Sequence, residues 1–254
     1  MNISKKLDQL HYEVRSNKWM GHFSIFTRIV LALGFLPSGF VKIMGERFTD
    51  LHSLHPLGQY FDALAHTGYY YPFIGVMQML AAILLLIPIT ATLGAVIYLP
   101  IILNITILTF STRFDGSSFT APLMLLANLY LIAWDYHKFK WILPLEHQNA
   151  KSMLPSKEEL TSKFPFKFFA AVAVTFVLVV FTTSHMYELY PRNTIAHCKK
   201  QCEEKENKDA CLEFCECIHT SGGTVSDCVD AYEGLKERRR EGLKERRIEG
   251  GKDE

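Results

Sequence analysis

Apolar residues in this chain fall into long blocks rather than alternating stripes. Residues 63–112 carry no Asp, Glu, Lys or Arg, and neither do 116–134 or 168–187. A soluble domain is about a quarter charged, so an uncharged run of this length does not fit a soluble surface. A membrane-crossing helix needs roughly 20 mostly apolar residues. That rule predicts five spans, at about 24–44, 72–89, 91–110, 118–135 and 168–187. The first has Arg28 and Lys42 near its ends, where each can snorkel to an interface. The second and third are separated only at Pro88, Ile89 and Thr90, which reads as a tight hairpin. Ahead of the first span, Ile3, Leu7, Leu10 and Val14 recur at helical spacing among Lys5, Lys6, Arg15 and Lys18. This predicts an amphipathic helix lying at a membrane interface, with Trp19 near the headgroups.

Charge sets the expected orientation. Basic residues number five in 1–28 and six in 135–167, against three (Lys42, Arg47 and Arg113) on the opposite side. By the positive-inside rule the N-terminus and the 136–167 loop face the cytoplasm, and five spans then put the tail outside. A net charge of +1 argues against a nucleic-acid binder. The long loop 45–71 carries His52, His55 and His66, whose spacing fits loop packing better than a metal centre. A short helix is expected at 156–163 in the cytoplasmic linker.

All six cysteines lie in the tail: Cys198, Cys202, Cys211, Cys215, Cys217 and Cys228. An even number in a short extracytoplasmic segment reads as a disulfide framework. Cysteines at i and i+4 share a helix face, so two antiparallel helices can be joined by Cys198–Cys215 and Cys202–Cys211 across the turn Glu203–Asp209. Cys217 and Cys228 remain for a third bridge, although six cysteines allow fifteen pairings. The competing reading makes Cys215 and Cys217 a redox-active pair. The chain ends in a tandem octapeptide, 233–240 and 241–248, read as a solvated, partly helical tail.

Polar groups at membrane depth are costly and each needs a reason. Lys42, Gln78, Asn104, Arg113 and Asp115 fall toward the outer side, Asn128 lies nearer mid-depth, and Arg28 and Asp135 can pair at the cytoplasmic side. The favoured reading is interhelical hydrogen bonding. The functional alternative makes the first five the wall of an outer polar pocket, with Lys42 holding an anion or a quinone carbonyl. No catalytic residue is assigned and no metal site is read; quinone is the one cofactor considered.

The pattern Arg28, Gly34, then Gly39, Phe40, Val41 and Lys42 resembles the first helix of the DoxX family. Gly75, Val76, Met77 and Gln78, the run 81–86, Pro88, Gly94 and Ala95 resemble its second and third helices. The resemblance covers roughly 22–142 and implies an all-α membrane protein. The resemblance gives a DoxX-type four-helix transmembrane bundle; a fifth transmembrane helix and a small disulfide-stapled helical hairpin, read from the residues above, lie outside that unit. The expected divisions are a cytoplasmic amphipathic segment 1–21, the bundle 22–142, a linker 143–166, the fifth span 167–187, the hairpin 188–232 and a charged tail 233–254. DoxX relatives include membrane subunits of thiosulfate:quinone oxidoreductase, partners of thioredoxin-like proteins, assembly factors and cargo receptors. The resemblance thus implies a multi-pass protein of the cell (inner) membrane, an accessory component of a quinone- or thiol-linked redox system at the extracytoplasmic face. The partners expected are the lipid bilayer and an extracytoplasmic oxidoreductase or another protein. The bundle contains no cysteine, so a self-contained disulfide-generating catalyst is disfavoured. The alternative is a non-catalytic scaffold or assembly factor presenting the hairpin to a protein. Transport is the weakest reading, since five spans show no internal repeat.

Overall fold

The computed structural model describes residues 3–49, 51–139, 155–156 and 159–249. Among these every named element is a helix. In order they are α1 (Ile3–Arg15), α2 (Lys18–Ile43), α3 (Pro56–Ala65), α4 (Tyr70–Leu86), α5 (Ala91–Ser111), α6 (Thr120–Trp134), the short α7 (Tyr136–Phe139), α8 (Phe166–His185), α9 (Ile195–Gln201), α10 (Lys208–His219) and α11 (Val225–Glu249). A 3₁₀ turn, Asp115–Ser117, precedes α6. Among the described residues, four stretches are long and apolar enough to cross a membrane: α2, α5, α6 with the turn before it, and α8. A fifth, the 17-residue α4, qualifies only together with α3, across a bend. The chain divides into two compact units.

The first unit holds Met1–Gly45, Pro72–Thr106 and Phe119–Ser184. Its core is Leu31, Ala32, Phe35, Ala81, Ala82, Leu85, Ala95, Tyr98, Ile102 and Leu131. In lipid, helices gain little from hiding apolar surface from one another, so close packing and polar contacts must hold them together. Small residues supply the closeness. A Cβ at Gly39 would stand 2.9 Å from the Gly75 carbonyl oxygen, and one at Gly75 would stand 2.7 Å from that of Gly39. The Phe35 and Tyr98 rings stack at 3.6 Å between centroids, and the Tyr98 hydroxyl donates to the Leu31 carbonyl. Asn128 donates to the Ala95 carbonyl at 3.1 Å, so this residue is interhelical glue.

Helix α1 forms as its periodicity predicts and leaves Leu7 and Leu10 exposed on one face. His11 and Arg15 meet the end of α6. The buried His11 ring bonds the Trp134 carbonyl at 3.1 Å, and Arg15 lies over the Trp134 ring. The expected Arg28–Asp135 pair is corrected here. Asp135 instead meets Arg15 at 3.5 Å and Lys138 at 3.1 Å, and accepts from Thr92. The reason is the packing of α1, which delivers Arg15 to the carboxylate. Burial opposes ionisation of Asp135, but these three partners outweigh it and hold its pKa below the usual carboxylate value. Of the short helix expected at 156–163, the described residues show one helical turn, with the Glu159 N–H on the Ser156 carbonyl, and the rest of the range is corrected. Thr161 runs extended and bridges to Asn17, with its N–H on Ser16 and its carbonyl receiving the Lys18 N–H. Residues 157 and 158, and most of the linker 143–166, lie outside the described residues.

The second unit holds Glu46–Tyr71, Ile107–Ser118 and His185–Glu254. Thr194 caps α9 by accepting from the His197 N–H. Helices α9 and α10 form the expected hairpin, and α11 completes a three-helix arrangement. Its core is Leu189, Phe214, Ile218, Val229, Tyr232 and five of the cysteines, with Cys217, Val225 and Leu235 packed against it. The octapeptide stretch is therefore not a separate tail at its start. Helix α11 runs through it to Glu249, Leu235 touches the core, and Lys236 pairs with Glu188. Residues 250–254 lie outside the described residues.

Candidate functional site

Helical spacing on α2 puts Ser38 one turn before Lys42, and the close crossing at Gly39 and Gly75 brings Gln78 of α4 beside them. Lys42 donates to the Ser38 hydroxyl at 2.7 Å and to the Ser38 carbonyl at 3.1 Å. The Ser38 hydroxyl then donates to Gln78 Oε1 at 3.3 Å. Lys42, Ser38 and Gln78 are all buried. The Gln78 Nε2 atom has no hydrogen-bond partner among the described residues. A lysine, a hydroxyl and an amide thus form one directed chain of donors inside an apolar bundle.

The other sequence-predicted residues sit differently. Asn104 is exposed on α5, not part of this buried group. Arg113 and Asp115 belong to the second unit. Arg113, in a left-handed backbone conformation (φ 50°), lays its guanidinium 4.3 Å from the centre of the Tyr187 ring. Asp115 forms an ion pair with Arg192, on a shallow cleft that Asn193, His197, Lys200 and Glu204 also line. Sequence reasoning missed Ser38 and Arg192. The i−4 spacing from Lys42 is a signal for the first; the second pairs across 77 positions and has no local signal.

The second unit carries the cysteines. The structure joins Cys198 to Cys215, Cys202 to Cys211 and Cys217 to Cys228, with Cα–Cα distances of 5.6, 5.5 and 5.8 Å. The first two are the pairs that the hairpin spacing allows. Cys215 and Cys217, considered as a redox pair, fall into different bridges. Five of the sulfur-bearing residues are fully buried, and Gly223 packs on the third bridge, where a Cβ would meet both sulfurs under 3 Å. The first two bridges lie side by side, Cys202 Sγ standing 3.7 Å from Cys215 Sγ.

A buried histidine pair completes the unit. His55 caps α3, accepting from the Leu57 N–H at Nδ1, so Nε2 carries the proton given to the Pro191 carbonyl at 3.1 Å. The His219 ring lies 5.9 Å away. Burial depresses the pKa of both, that of His55 from 6.5 to about 4. His52 bonds the Leu54 N–H and His66 the Asp62 carbonyl, both local loop contacts.

The fold defines a class: among the described residues, a helical chain with four to five helices long and apolar enough to span a membrane, and a disulfide-bridged helical unit. No family model matches the chain, and no solved structure matches it. The uncharacterized protein YwoB of Bacillus subtilis (strain 168) is 34% identical over 134 residues, which cover 50% of this chain and 86% of YwoB. The chain belongs to the family of YwoB.

Proposed function

We propose that this chain is a DoxX-like integral membrane protein of the cell membrane, with its N-terminus in the cytoplasm, that works as a non-catalytic scaffold or assembly factor. In this reading the bundle is an anchor, and the bridged helices bind a protein partner on the extracytoplasmic side. One observation carries the reading: all six cysteines are consumed in bridges, five of them in the core of a small helical unit and Cys217 packed against it. Cysteines placed to exchange electrons need an accessible sulfur, whereas buried bridges restrain a fold too small to hold itself. The test is crosslinking on intact cells with a reagent that cannot cross the bilayer. A protein captured through residues of α9 or α10, and lost when exposed Lys199 and Glu216 are both replaced by Ala, supports the scaffold. Absence of any captured protein from cells that display the unit contradicts it.

A second reading follows from the buried Lys42, Ser38 and Gln78 group. It makes the chain an accessory of a quinone- or thiol-linked redox system, with Lys42 donating to a quinone carbonyl. Solvent extraction of the purified protein would then yield quinone, and Lys42→Ala would release it. Equal quinone content in protein and variant speaks against this reading.

A further inference from the structure

The twin C-x₃-C hairpin brings four sulfurs into one small volume. The Sγ atoms of Cys202, Cys211 and Cys215 all lie within 4.8 Å of one another, and the fourth, that of Cys198, is bonded to Cys215. Across the two bridges, Cys202 and Cys215 stand 3.7 Å apart. Two thiolates on a tetrahedral zinc ion, with Zn–S about 2.3 Å, stand about 3.8 Å apart. The edge between the bridges already has the length of one edge of such a tetrahedron.

We infer that, when reduced, Cys198, Cys202, Cys211 and Cys215 form a four-thiolate site for a soft divalent metal ion of the zinc class. Ligands at i and i+4 on one helix face are a known metal-binding spacing, and here α10 supplies one such pair and α9 with its C-cap residue Cys202 the other. Four cysteine ligands give the closed coordination of a structural zinc site. The site would carry two net negative charges. Lys199 and Lys200 lie on the same helix, and Gln201 Nε2 approaches Cys198 Sγ at 3.5 Å, a donor to a thiolate. The third bridge, Cys217–Cys228, lies outside the quartet.

The chemistry balances with a dithiol as reductant. Two dithiol molecules reduce the two bridges to four thiols and become two disulfides, four electrons in all. One metal ion then replaces four protons. Two molecules of a disulfide-bearing oxidant reverse the sequence: they take the four electrons, leave as thiols with four protons, and the two bridges form as the ion is released. Thiols stay reduced in the cytosol and oxidise outside it. A metal-held hairpin would therefore be the form of this segment before oxidation, and the bridged hairpin the form after. This inference rests on sulfur geometry, not on the scaffold reading.

The test uses the full-length protein in detergent, reduced by a phosphine that is then removed under argon, with Co²⁺ as the probe. The expected result is one Co²⁺ per chain, with thiolate-to-cobalt charge-transfer absorption and the visible bands of tetrahedral coordination, displaced by Zn²⁺. The Cys217→Ser/Cys228→Ser variant should bind equally, and Cys202→Ser should lose at least tenfold in affinity. The oxidised protein should show no such bands. Far-ultraviolet circular dichroism follows the hairpin, which should gain helix on metal addition. Six titratable thiols with no cobalt–thiolate bands would overturn the proposal, as would a site that needs Cys217 or Cys228. Partner capture on intact cells uses the oxidised unit, so the two ideas fail independently.

Discussion

At the scale of single residues, the bundle depends on missing side chains as much as on those present. Gly39 and Gly75 meet backbone to backbone, so Gly39→Leu must push the helices apart. Overpacking of this kind costs about 1–3 kcal/mol. The variant should lose its fold at a clearly lower temperature in detergent, followed by loss of monodispersity on heating; an unchanged transition would contradict the crossing. His55 makes a pH prediction. Its pKa is depressed in the fold from 6.5 to about 4. Its contribution is therefore fully present above pH 6.5 and is lost as pH falls toward 4, because only the unfolded chain takes up the proton readily. His55→Asn keeps a capping acceptor without the titration. Thermal unfolding from pH 7 to 4.5 should show a shallower decline in the variant; an equal decline would remove His55 as a cause. Lys42 and Gln78 were visible in the sequence because a polar residue in an apolar run stands out. Ser38 was not, because a serine hydroxyl in an apolar helix commonly bonds its own backbone.

At the scale of elements, the hairpin was legible because i,i+4 spacing fixes a face. Two helices joined by a short turn pair their outermost cysteines with one another and their inner cysteines with one another. The bridge Cys198–Cys215 closes a separation of 17 residues, which corresponds to about 3 kcal/mol. The Cys198→Ser/Cys215→Ser variant should unfold the second unit correspondingly early in denaturant, and an unchanged midpoint would refute a structural role. Helix α11 was harder to read. Its repeat is rich in charge, and Leu235, the Lys236–Glu188 pair and Arg239, which donates to the Glu206 carbonyl and to Asn207, show where it docks. The partner of Asp135 was misassigned for a related reason. Both Arg15 and Arg28 are arginines of suitable charge, and only the fold of α1 against α6 decides between them. Arg15→Ala should accordingly raise hydrogen exchange across Ile3–Arg15; unaltered protection would mean that α1 is held by His11 and its apolar contacts alone.

At the scale of the whole molecule, apolar blocks announced plainly the helices long and apolar enough to span a membrane, because a twenty-residue uncharged helix has few other uses. The count of four to five follows α4, whose 17 residues sit at the short end of what a bilayer accepts. The match to YwoB covers half of this chain. The central claim is that the cysteine-bridged helices are displayed on the side of the membrane away from the N-terminus. Intact cells bearing one exposed cysteine engineered on the second unit, Glu204→Cys, and treated with a bulky impermeant maleimide test it most directly, read as a gel shift of the full-length chain. The account predicts one label in intact cells, with a cysteine engineered at exposed Gln9 labelled only after lysis. A Glu204→Cys shift that appears only after lysis would contradict it.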